Sequence, residues 1–301
     1  MNKITETQLE STQLKRLAAQ QQLYTDAKTV QKIQGVLNIL GPLILAVCVN
    51  HLGMSRVYAI YYGIIVTLLN ILWLTPWQKS LQKKAAGIQE LFDCDVLELN
   101  WREIVAGPRL GVEIVEKYAL KHRREDPNYF KLKDWYAKNV GELPLYVARI
   151  ACQRENCSWD AELRLRYRRL IMGILVVLAM LTIFVGIKGG FSVEKFTLVV
   201  VAPLIPAFVL GIRQYKGFTE SATRKYELIK SAIGLWEKAL EGTAPEELTS
   251  ASRNLQDAIY NNRRENPLIL DSFYEFFKKE DEELMYKTAG ELVEEAKVRL
   301  P

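Results

Sequence analysis

Apolar residues in this chain of 301 residues are gathered into four uncharged runs separated by strongly polar segments. Lys32 and Arg56 bracket GVLNILGPLILAVCVN, and Arg56 and Lys79 bracket VYAIYYGIIVTLLNILWLTPW. A third run extends from Leu170 to Ile187 before Lys188, and a fourth from Phe196 to Ile212 before Arg213. At a rise of about 1.5 Å per residue such runs cover most of a hydrocarbon core roughly 30 Å thick. They predict transmembrane helices over residues 35–50, 57–77, 170–187 and 196–212. Pro203 and Pro206 fall inside the fourth, which bundled membrane helices tolerate. The links around His51–Arg56 and Lys188–Lys195 are too short for domains, so two transmembrane hairpins are expected, 35–77 and 170–212.

The polar segments read as helical too. Residues 1–34 form a stalk without Gly or Pro up to Gln34, with Leu14, Leu17, Leu23, Ala27 and Val30 near helical spacing, and are expected to run into the first span. In the middle segment, 78–169, SLQKKAAGIQELFD and GVEIVEKYALKHRRE predict helices. Between them DVLELNW alternates Leu97, Leu99 and Trp101 with polar residues, as a short strand would. ELPLYVARIACQRENCSWDAELRLRYRRL predicts a long helix feeding the third span. In the C-terminal segment, 213–301, a helix continues from the fourth span and stops at Gly242. Thr243 and Glu246 then match a capping box with Pro245 in the first turn. That helix should end at Asn266 before Pro267, with Asp271 or Ser272 capping a last one. The fold class is therefore mainly α: a polytopic membrane protein with a helical cytoplasmic body.

Composition alone hides this. With 49% hydrophobic and 25% charged residues the chain resembles an ordinary soluble protein. The charges instead report topology. Lys28, Lys32, Lys79, Lys83, Lys84, Arg164, Arg166, Arg168, Arg169, Arg213 and Lys216 flank the outer ends of the hairpins, against Arg56, Lys188 and Lys195 in the turns. Eleven against three places both termini and the middle segment in the cytoplasm, as a multi-pass protein of the cell inner membrane. The four arginines before the third span suit a cytoplasmic anchor, with an anionic ligand or lipid head group as the alternative. A secretory signal peptide is not expected, because the first thirty residues are polar. The middle segment carries 18 basic and 14 acidic residues and the C-terminal one 14 and 17, which favours their packing together.

No enzyme is expected. The chain has no phosphate-cradling glycine loop, no nucleophile elbow, and only His51 and His122. Cys152 and Cys157 lack a second close Cys or His pair, so neither metal nor any other cofactor is expected, and packing is the favoured role of all four cysteines. The spans hold no Asp, Glu, Lys or Arg, which weighs against a proton- or ion-coupled carrier. They do hold Asn38, Gly41, Pro42, Thr67 and Asn70, the candidates for pore lining or gating, alongside the plainer role of close helix packing. A kink at Gly41-Pro42 would give the first span two shapes. Four spans are too few to enclose a wide channel, so a pore requires a homo-oligomer. For a soluble ligand the candidates are arginines beside aromatics: Arg123 and Arg124 near Tyr129 and Phe130, and Arg263 and Arg264 near Tyr260 and Tyr274. Guanidinium forks suit phosphates and aromatic faces suit bases, although solvated surface charge is the simpler explanation of such clusters.

Two stretches carry a family resemblance. ELPLYVARIACQRENCSWDAELRLRYRRL and NNRRENPLILDSFYEFF, with LFDCDVLELNW and the two-hairpin layout, resemble the SMODS-associated four-transmembrane effectors over nearly the whole chain. That resemblance implies a pore-forming effector of cyclic-oligonucleotide-based anti-phage signalling, in which a cyclic di- or oligonucleotide from a neighbouring synthase controls membrane permeability. Partners would then be the lipid bilayer, further copies of the chain and that nucleotide, with no DNA or RNA. Arg149, Gln153, Arg154, Asn156, Trp159 and Asp160 match one family motif, and Arg264, Pro267, Asp271 and Tyr274 the other. Arg149 and Arg154 join the ligand candidates on this ground. A scaffold that recruits a cytoplasmic partner without permeabilising the membrane is the competing expectation.

Overall fold

The computed structural model describes residues 2–158, 161–190 and 192–300, and is helical throughout its regular structure. A short α1 (Ile4–Thr7) precedes α2 (Ser11–Gly35), α3 (Gly41–His51), α4 (Arg56–Leu69) and α5 (Thr75–Val96). Then come α6 (Glu103–Ala106), α7 (Val112–His122), α8 (Leu145–Ser158) and α9 (Ala161–Lys188). The chain closes with α10 (Val193–Phe196), α11 (Ala202–Leu240), α12 (Pro245–Glu265) and α13 (Asp271–Arg299). Wide π turns join α2 to α3 (Val36–Leu40), α4 to α5 (Asn70–Leu74) and α10 to α11 (Thr197–Val201). Continuity of the third span with the helix before it passes through Trp159 and Asp160, which lie outside the described residues.

Two compact units emerge, one comprising residues 1–25, 81–163 and 221–301, the other residues 26–80 and 164–220. Unit one has an ordinary interior. Phe92, Ile88 and Leu97 of the α5 region, Ile150 of α8, Trp236 of α11 and Tyr260 of α12 are wholly or almost wholly buried. Unit two is inverted: Ile44 is 62% exposed, Ile65 62%, Leu72 63% and Phe184 57%. Such a surface is stable only where the surrounding solvent is itself apolar. Among the described residues three helices are long and apolar enough to cross a membrane, Ser11–Val49, Ile60–Val96 and Leu145–Lys188; the run Phe196–Ile212 is not among them.

Three local expectations are corrected. DVLELNW forms no strand; α5 ends at Val96, Glu98 turns with φ 51°, and the Leu99 N–H closes on the Cys94 carbonyl at 2.8 Å. Its alternation arises because Leu97 and Leu99 tuck into the core of a loop, with no second strand among the described residues to pair with. The capping box does not form, since Pro245 is the first helical residue, leaving Ala244 at the cap and Thr243 one position too early. Likewise α13 starts at Asp271 itself, with Leu270 at the cap, so neither Asp271 nor Ser272 caps it; Asp271 instead places a negative charge in the first turn. Gly242 does stop α11, at φ 84°, a conformation that costs glycine little.

Candidate functional site

In unit one a layer of buried polar groups joins α5, α8 and α12. Glu90 and Asp93 share one face of α5, and Arg253, Gln256 and Arg263 share one face of α12, three to four residues apart or a multiple of that. Arg253 donates to Glu90 Oε1 at 2.7 Å, Gln256 Nε2 donates to both Glu90 Oε2 and Asp93 Oδ2 at 2.9 Å, and Arg263 pairs with Asp93. Asp93 Oδ1 accepts from the Tyr136 hydroxyl at 2.6 Å, which itself accepts from Asn156 Nδ2 at 2.9 Å. Gln153 of α8 donates to the Ser252 carbonyl at 2.9 Å and accepts from the Ser252 hydroxyl at 2.8 Å. Burial and the Asp93 charge push the Glu90 carboxyl up, against the pull of Gln256 and Arg253. Burial alone would lower the Arg263 guanidinium, but Asp93 raises it above its usual range. Charges this deep persist only when paired, so the layer fixes how the helices register.

Several sequence candidates belong to this scaffold. Arg149 sends its fork into the α5–α6 loop, donating to the Leu97 carbonyl and, at 2.7 Å, to the Glu98 carbonyl. Arg263 is committed to Asp93. Arg154 lies over the Trp236 ring at 5.9 Å, and Arg264 over Tyr260 at 5.7 Å, while the Tyr260 hydroxyl donates to the Ala106 carbonyl at 3.4 Å. Tyr274 is half-buried on the first turn of α13. Arg123 and Arg124 are exposed at the end of α7. The motif residues Gln153 and Asn156 sit in the buried layer; Trp159 and Asp160 lie outside the described residues. A cleft of about 470 Å³ at the start of α12 is lined by Glu98, Asn100, Arg102, Glu246, Ser250 and Arg253, none of them a candidate. Its two arginines are already held by Asp257 and Glu90, and its own carboxylates oppose an anionic guest. Sequence reading missed a third guanidinium–aromatic pair, Arg109 over Trp101 at 5.6 Å, whose indole donates to the Gly107 carbonyl at 3.0 Å. Neither residue lies in a helix, so spacing could not reveal the pair, and only the loop brings them together.

In unit two the membrane candidates converge. Each π turn ends two residues before a proline: Leu40 before Pro42, Leu74 before Pro76, Val201 before Pro203. A proline ring collides with the carbonyl four residues back in an α-helix and brings no N–H, and widening the turn relieves the collision. The Gly41 N–H accordingly reaches the Val36 carbonyl, five residues back. Pro42 would be the next donor in that register and has no N–H to give, which strands the Leu37 carbonyl. The Tyr62 hydroxyl of α4 fills the gap at 2.8 Å. Gly41 permits this, because a Cβ there would lie 1.7 Å from the Tyr62 oxygen. Along the same hairpin Asn70 Nδ2 donates to Asn38 Oδ1 at 3.3 Å, and Gln34 Nε2 donates to Thr75 Oγ1 at 3.1 Å. Each asparagine also bonds back to the carbonyl four residues earlier, Gln34 and Val66. Asn70 Oδ1 is enclosed without a hydrogen-bond partner among the described residues. Thr67, the remaining candidate, is exposed.

Residues 2–292 match the SMODS-associating 4TM effector domain. The chain belongs to this family. It is also 24% identical over 276 residues to a Bacillus cereus (strain VD146) protein named "Probable CBASS effector molecule IK1_05631", covering 89% of this chain and 91% of that one. No solved structure matches the chain.

Proposed function

We propose that this chain is a membrane effector of CBASS anti-phage defence, in which a cyclic nucleotide signal controls permeability of the inner membrane. In this reading four spans form two hairpins, both termini and the middle segment are cytoplasmic, and several copies assemble to enclose a pore. The observation that carries it is the near full-length match to an effector family in a chain whose unit two exposes apolar side chains along whole helices. The seam of Asn38, Asn70 and the Leu37 carbonyl supports a pore, since polar groups inside a membrane segment pair within the bundle or line water. A nucleotide shifts such an assembly only by its difference in affinity between closed and open forms.

Dye leakage from liposomes carrying the full chain, with and without a panel of cyclic di- and trinucleotides, tests this. Leakage that changes with one nucleotide is the expected result; vesicles that stay tight under every condition, with insertion verified, reject it. Cysteine labelling at Ser80 and Glu220 tests the topology separately, and labelling of either from outside an intact cell would overturn it.

A further inference from the structure

The end of α7 and the loop after it form a knuckle in unit one. Residues 121–133, KHRREDPNYFKLK, carry five cations and two carboxylates. The carboxylate of Asp126 turns inward and accepts the Phe130 and Lys131 N–H groups, both at 3.1 Å. Tyr129 takes a left-handed conformation, φ 54°, and stacks on the buried His122 at 6.5 Å. These contacts fix the turn and push Phe130 outward, where it is 68% exposed with the Lys133 ammonium over its ring at 4.5 Å. Leu120, in the last turn of α7, is 58% exposed. Arg123 and Arg124 make no ion pair among the described residues. Burial holds the His122 imidazole below its usual value, so the charge of the knuckle belongs to arginines and lysines and stays constant around neutral pH.

We propose that this knuckle docks on an anionic lipid surface, Phe130 and Leu120 entering the head-group boundary while Arg123, Arg124 and Lys131 pair with phosphates. An exposed aromatic ring beside a buried cap, with one cation over it and others on the same short segment, is the pattern of an interfacial anchor: the ring gains by leaving water, and long basic side chains keep their charges at head-group level. A polar loop would leave both apolar side chains solvated to no benefit. The inference rests on membrane insertion and is independent of which signal opens the effector.

The test uses the full chain in vesicles, with the photoreactive residue p-benzoylphenylalanine in place of Phe130, and a second protein carrying it in place of Ser250. On irradiation, position 130 should yield adducts of lipid mass several-fold more often in phosphatidylcholine vesicles containing phosphatidylglycerol than in pure phosphatidylcholine, and position 250 should not. Arg123→Glu with Arg124→Glu should abolish the difference. So should raising salt from about 0.1 M to about 1 M, which shortens the screening length from roughly 10 Å to 3 Å. No lipid adduct at position 130, an equal yield in both vesicles, or adducts only to a second protein copy would each overturn the proposal. Adducts are counted whether or not the vesicles leak, so this result and the permeability result fail separately.

Discussion

The hydroxyl of Tyr62 donates to the Leu37 carbonyl at 2.8 Å, across the space kept open by Gly41. One proline thus accounts for three other residues. Pro42 forces the wide turn and withholds the donor, Tyr62 supplies a donor from α4, and Gly41 makes room for it. Tyr62→Phe should cost about 1–3 kcal/mol, because the Leu37 carbonyl loses its side-chain partner. Gly41→Ala should cost more in the parent chain, where its Cβ would meet Tyr62 atoms at 1.7 and 2.5 Å, and little once Tyr62→Ala has removed them. Thermal unfolding of the four proteins in detergent measures the coupling, and additive losses would refute the contact.

Arg263 pairs with Asp93, a carboxylate that is wholly buried in unit one. Arg263→Met should destabilise by about 3–5 kcal/mol, the usual consequence of leaving one buried charge alone. Adding Asp93→Asn should recover part of the loss, since no uncompensated charge then remains. Melting temperatures of the single and double variants decide this; a single variant that melts like the parent would mean that the arginine is not structural.

Arg149 gives a sharper separation of structure from ligand contact. Its Nε and Nη2 serve two successive carbonyls, Leu97 and Glu98, and hold the positive φ at Glu98. Lysine has one ammonium and no planar fork, so Arg149→Lys should release the loop at a cost of about 1–3 kcal/mol. Hydrogen exchange should quicken at residues 97–99 in the absence of any nucleotide. Unchanged exchange there would return Arg149 to the list of ligand contacts.

Hydropathy made the apolar runs legible, because a lipid-facing helix writes its environment into every consecutive residue. Helix ends at Gly242 and Asn266 were legible for the same local reason. The partners of the arginines were not. Arg149 finds the Leu97 carbonyl 52 residues away and Arg263 finds Asp93 170 residues away, so nothing in their neighbourhoods distinguished them from exposed arginines such as Arg123. Asn38 and Asn70 stood out as polar residues in apolar runs, but their mutual contact depends on how α3 and α4 pair. The three prolines were visible too, whereas the widened turns before them follow only from the geometry of a helix that continues past each ring.

Glu155 makes stability depend on pH in an unusual direction. Its side chain is buried on α8, Oε1 has no partner among the described residues, and burial pushes the carboxyl from 4.5 up to about 8. The folded protein therefore holds a proton that the unfolded chain has released between those two values. Its stabilising contribution is complete below about pH 4.5 and is lost as pH rises toward 8, by about 1.4 kcal/mol per pH unit within that window. Glu155→Gln keeps the shape and removes the titration. Melting temperatures of parent and variant should consequently lie close together at pH 4.5 and diverge steadily up to pH 8.5, with the variant the more stable. Parallel profiles across that range would show that Glu155 is ionised in the fold, and that water or an unseen cation reaches it.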